Sequence, residues 1–214
     1  MNIFLLDTFW RKHLNTFITV SISVISAVIG GIIAGYFSLR ATNQSHANQK
    51  EIAEHNELQV IKSLLQAIHD EIETVFENYQ TTMGNRLESL QDGHPLFWYY
   101  PLVSDFFNVY NGNTFLIGRI KDHDLRKNII KTYTLGKGMI DSYRLNNDLV
   151  QKTEHWNFVY AETQQQIHLE RLRAQEKGLI DYAKTLKTQH FVLKENVNIT
   201  LRALRKSGVL TDTK

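Results

Sequence analysis

"LQVIKSLLQAIHDEIETVFENY", residues 58–79, sets Leu58, Ile61, Leu65, Ile68, Ile72, Val75 and Tyr79 at alternating steps of three and four. Held for about three repeats, that spacing predicts an amphipathic α-helix with a heptad (coiled-coil) seam. Leu64 and Phe76 widen the apolar stripe beyond the narrow seam of a two-stranded coil, so the helix is expected to pack in a bundle. Leu58, Ile61, Leu65, Ile68 and Ile72 should turn inward, with Asp70, Glu71, Glu73 and Glu77 on the outer faces.

Downstream, "QDGHPLFWYYPLV" (91–103) interrupts the pattern with Gly93 and with Pro95 and Pro101, both prolines of the chain. Phe106, Phe107 and Tyr110 are expected to enter the bundle core. Residues 95–118 do not read as a membrane span. Asp105, Asn108, Asn111 and Asn113, with a turn at Asn111-Gly112, would have to be buried in lipid. A second long helix should begin near Asp122, with Asp124 in its first turn favouring the helix dipole. Its inner face is Leu125, Ile129, Tyr133, Ile140, Tyr143 and Val150; Gly136 and Gly138 mark a close approach or a kink. Residues 155–207 carry Ile167, Leu172, Leu179, Tyr182, Leu186, Leu193, Val197, Leu201 and Leu204, the inner face of one or two further helices. No useful strand alternation and no internal repeat appears.

Upstream lies "FITVSISVISAVIGGIIAGYF" (17–37), twenty-one residues without a charge. About 20 helical residues cross a hydrocarbon core about 30 Å thick. A signal peptide is the rival reading, with Arg11 and Lys12 ahead of the run. Its apolar region would be shorter, however, and would end in a small-x-small cleavage site. Here the run closes on Tyr36, Phe37 and Arg40, an interfacial collar. Thr19, Ser23, Ala27, Gly31 and Gly35 recur every four residues and include a small-xxx-small pair, the kind of face through which membrane helices self-associate. The fold expected is all-α: a single N-terminal transmembrane helix followed by an antiparallel helical bundle. Its parts are an interfacial segment 1–16, a span 17–37, a juxtamembrane linker or helix extension 38–57, a bundle 58–207 and a tail 208–214. Two basic residues precede the span and two follow within about 20 residues, so charge does not set the orientation.

The chain carries 24 Lys/Arg against 22 Asp/Glu, too balanced to name a partner. The charge is uneven, running from acidic in 1–100 to basic in 160–214, which suits either packing of one helix on another or an anion-binding surface. With no cysteine, disulfides, thiolate catalysis and cysteine-ligated metals are excluded. The nine histidines are scattered, and no H-E-x-x-H occurs. "KDHD" (121–124) has the letters of a phosphohydrolase dyad, but a helix-start cap explains it better. "LGKGM" (135–139) lacks P-loop spacing, and there is no G-x-S-x-G. Arg171, Arg173, Lys184, Lys187, Lys194, Arg202, Arg205 and Lys206, with Tyr182 and Phe191 between them, are diluted by Glu170, Glu176, Asp181 and Glu195. Solvated helix surface is the better account of them than a nucleic-acid groove, though direct nucleic-acid binding stays open. No catalytic residue, cofactor or metal is expected.

"DFFNVYNGNTFLIGRIKDHDLRKNIIKTYTLGKGMIDSYRLNN" (105–147) resembles a segment of small bacterial inner-membrane proteins. It has a Tyr110-Asn111 start, an Ile117-Gly118 turn, and a helix carrying Ile130-x-x-Tyr133 and Ile140-Asp141. Together with the N-terminal span, the chain is similar to the transmembrane effectors of retron antiphage systems. The resemblance implies a non-enzymatic toxin in the bacterial inner membrane, with its bundle in the cytosol. A reverse transcriptase with its RNA–DNA product would be the regulating partner, and release would perturb the membrane. It carries over no functional residue. The lipid bilayer and a homo-oligomer are the other partners expected. Two other readings stand beside it: a membrane-tethered scaffold or adaptor, and a membrane-bound hydrolase or nuclease.

Overall fold

The structure, a computed structural model, describes residues 3–101 and 106–208; within the first helix the side chains of 3–15, 17–19, 24, 25, 28 and 29 lie outside the description. The described residues are all helical or irregular, with no strand among them. The chain divides into two compact units, Met1–Leu58 and Gln59–Lys214.

Helix α1 spans Ile3–Tyr79 and contributes to both units. In the first unit the polar residues 38–57 are helical. Their local support comes from within the helix: the Thr42 hydroxyl donates to Ser38 O at 2.9 Å, and Lys50 pairs with Glu54. Among the described residues no helix is long and apolar enough to cross a membrane. Phe17, Ile18, Thr19, Val24, Ile25, Val28 and Ile29, a third of the uncharged run, are among the side chains outside the description, so the expected span falls partly beyond it.

The second unit begins with the last turns of α1, where Leu64, Leu65, Ile68 and Ile72 are buried. Fully burying an aliphatic side chain of this size contributes about 1.5–3 kcal/mol. Leu58 departs from the expectation and is 56% exposed. Within the second unit the seam packs against the core from Ile61 onward, and α6 (Gln166–Lys206) ends beside it, where Arg205 Nε donates to His69 Nε2 at 3.3 Å. After Tyr79 the chain widens into a π-helical turn, Gln80–Gly84, and tightens again into α2 (Asn85–Ser89). The Thr81 and Thr82 hydroxyls donate to carbonyls of Glu77, Asn78 and Tyr79, groups that a widened turn leaves underused. Met83 within this turn and Leu87 in α2 are fully buried.

A left-handed Gly93 then turns the chain into an extended strap that reaches Pro101. Two asparagines of α5 (His123–Thr163) hold the strap by its backbone. Asn147 pairs with both the N–H (3.0 Å) and the carbonyl (2.7 Å) of Tyr100, and Asn146 Nδ2 donates to the carbonyls of Leu96 and Trp98. Two short helices follow, α3 (Asn108–Gly112) and α4 (Thr114–Ile117), so Asn111-Gly112 is helical rather than the turn its letters suggested. Phe107 enters the core and Phe106 and Tyr110 pack against it.

α5 starts at Asp122, whose carboxylate accepts from Leu125 N at 3.0 Å. α5 and α6 form an antiparallel hairpin, in register through Thr132–Thr200 and Ser142–Gln189 hydrogen bonds. Within the second unit the last turns of α1 lie antiparallel to α6, with Glu73 on Arg205 and Tyr79 on His190. Most of the expected inner face of α6 is buried, from Leu172 to Leu204, but Ile167 is 52% exposed in the first turn after the Gln164-Gln165 loop.

Candidate functional site

Tyr79 closes α1, His190 lies midway along α6 and Glu88 is on α2; the π turn brings the three together. His190 is wholly buried. The Tyr79 hydroxyl is 2.9 Å from its Nδ1, and its Nε2 is 2.8 Å from Glu88 Oε1. The same carboxylate oxygen accepts from Lys194 Nζ at 2.6 Å and Gln80 Nε2 at 2.8 Å. With Nε2 facing a carboxylate, the imidazole is satisfied as the neutral tautomer protonated there, leaving Nδ1 to accept from Tyr79.

Burial pushes the His190 pKa down, against the pull of Glu88. Hydrogen bonds from Lys194, His190 and Gln80 hold Glu88 down at about 2. Burial pushes Tyr79, Tyr133 and Tyr143 up, so all three are neutral phenols. Tyr79, Tyr100, Phe107, Tyr133, Met139 and Tyr143 line a cavity of about 60 Å³. A benzene-sized guest takes a cavity of about 150 Å³, so this one has no room for a ring. A tyrosine, a histidine and a glutamate in line suggest nucleophile, base and acid. Here, however, the phenol is made less acidic and the imidazole less basic, the reverse of activation. The arrangement is suited to holding α1, α2 and α6 together.

No family model, curated protein or solved structure matches this chain.

A second junction ties α1 to the short helices. Glu71, expected on the outer face, is half-buried and accepts from Val109 N at 2.7 Å, Tyr110 N at 3.2 Å and the Tyr133 hydroxyl at 2.6 Å. It satisfies the free N–H groups that open α3, which a heptad pattern does not reveal. Of the self-association residues read from the sequence, Ser23, Ala27, Gly31 and Gly35 are exposed, and the Thr19 side chain lies outside the described residues. A Cβ added at Gly31 or Gly35 would meet nothing within 4 Å.

No group of His, Asp and Glu among the described residues could hold a metal ion. In "KDHD", Asp122 is a cap and His123 Nδ1 lies 3.1 Å from Arg126. Four of the eight basic residues weighed for nucleic acid have internal partners. Arg171 stacks on Trp156, Lys187 donates to Leu90 O, Lys194 binds Glu88 and Arg205 binds Glu73. Sequence reasoning missed His190 because its partners are 102 and 111 residues away. The only signal was a histidine set among apolar positions, between Leu186 and Leu193.

Proposed function

We propose that this protein is a membrane-anchored effector of bacterial antiphage defence, retron-like, whose helical bundle restrains an N-terminal span that perturbs the inner membrane when released. The observation that carries the reading is that α1 holds both the uncharged run 17–37 and, from Leu64 to Tyr79, part of the bundle core. An event that loosens the bundle therefore acts on the same element that carries the run. The small-residue stripe supports self-association, since small side chains let helix backbones approach closely in lipid. The likeness of 105–147 to retron-associated membrane proteins supports the defence role, with a reverse transcriptase and its RNA–DNA product as regulator. No catalysis is required of the chain.

The test is to express the chain alone and follow membrane potential with a voltage-sensitive dye. Depolarisation and growth arrest are expected, with the protein in the membrane fraction. Membrane localisation without depolarisation gives the role to the tethered scaffold. The exposed strap aromatics Phe97, Trp98 and Tyr99 would then be a candidate partner surface. Recovery in the soluble fraction overturns both.

A further inference from the structure

From α6, the His190 side chain hydrogen-bonds both the end of α1 and α2, and it is an ionisable group with no exposure. We propose that His190 is a proton-sensitive latch: neutral, it fastens the last turns of α1 to α6, and acidification of the compartment around the bundle loosens that junction. The latch rests on the reading of the bundle as a restraint on α1. It would let a first breach of the membrane, by admitting protons, promote further release.

The bonding pattern gives the reason. Neutral His190 accepts a hydrogen bond from the Tyr79 hydroxyl at Nδ1 and donates from Nε2 to Glu88. A second proton must sit on Nδ1, where it donates to the Tyr79 oxygen and turns the Tyr79 hydroxyl hydrogen away, leaving a charged ring with no solvent contact. Every neighbouring element presents a group to this centre. α1 supplies Tyr79, the π turn Gln80, α2 the Glu88 carboxylate and α6 the Lys194 ammonium; behind Tyr79 stand Tyr143 of α5 and Tyr100 of the strap. Glu88 favours the charged imidazole, whereas burial and Lys194 oppose it, burial most strongly. The folded pKa thus lies below the ordinary 6.5. Above 6.5 the latch is at full strength. As pH falls from there towards the folded value, the opened state binds a proton that the closed state does not. Opening then grows by up to about tenfold per pH unit.

The experiment is hydrogen exchange of the amides at 72–79 in the full chain, reconstituted in phospholipid nanodiscs, from about pH 7.5 to about pH 5.5. After correction for intrinsic exchange, opening should rise with acid in the parent. It should stay flat in His190→Gln, whose amide reproduces both hydrogen bonds without titrating. In Glu88→Gln, where the anion favouring the charged ring is gone, the rise should begin at the same pH but continue to lower pH before it levels off. A flat parent overturns the latch, as does an unchanged rise in His190→Gln or a rise that disappears in His69→Gln instead. If His190→Gln does not fold, the Glu88→Gln arm decides, and a rise that levels off at higher pH than in the parent overturns the proposal. Exchange is read independently of depolarisation, so failure of the latch and failure of the effector reading are separate results.

Discussion

Phe107 is one of two described non-glycine residues with positive φ, at 69°, a conformation that costs an L-residue about 1–2 kcal/mol. It is retained because its ring is fixed edge-on to Tyr133 at 5.2 Å and lies against the backbone of Gly136. A Cβ at Gly136 would stand 2.8 Å from Phe107 Cζ, inside any tolerable contact. Gly136→Ala should therefore destabilise the protein by about 1–3 kcal/mol, read as a lower urea midpoint with an unchanged slope. Gly138, with nothing within 4 Å of an added Cβ, should gain from the same substitution. The sequence marked both glycines alike, as close approach or kink. Which was which depended on a ring 29 residues upstream in the chain.

At the scale of elements, the 3-4 spacing located the C-terminal part of α1, and Asp122 located the start of α5. The spacing did not show the π turn. Tyr79, Met83 and Leu87 are four apart, and in a regular α-helix each step of four turns the side chain about 40° further round. The wider turn at Gln80–Gly84 absorbs that drift and keeps Met83 and Leu87 in the core. The α5–α6 loop holds a second strain. Gln164 caps α5 with φ 55°, its N–H donating to Tyr160 O at 2.8 Å, in the position where glycine is usual. Gln164→Gly should raise stability by up to about 1 kcal/mol, visible as a higher melting temperature.

For the whole molecule, two predictions follow from charge and from the uncharged run. Glu88 is held at about 2 against an ordinary 4.5. Its contribution is fully present above 4.5 and is lost as pH falls from there towards 2, below the window in which His190 acts. Melting temperature measured against pH should show this acid loss, and Glu88→Gln should flatten it. In the run, Gly31→Leu with Gly35→Leu should leave insertion intact, since leucine favours a span by about 0.3–0.6 kcal/mol on the insertion scale. The bulkier side chains should hold neighbouring helices apart and abolish depolarisation when the chain is expressed alone, while Ile18→Leu and Ile25→Leu change neither. Depolarisation by the glycine variants at the parental level would remove self-assembly from the mechanism.

The sequence by itself determined the all-helical class, the inward stripe of α1 from Ile61, the cap at Asp122 and the length and composition of 17–37. All of these are local properties, set by periodicity and capping within a few residues. Only the tertiary structure decided that Leu58 and Ile167 face solvent, that Glu71 caps a helix 38 residues away and that His190 joins Tyr79 to Glu88. Periodicity tells which side chains share a face. What covers that face depends on where the facing helices end and on pairings far apart in sequence, which no local pattern encodes.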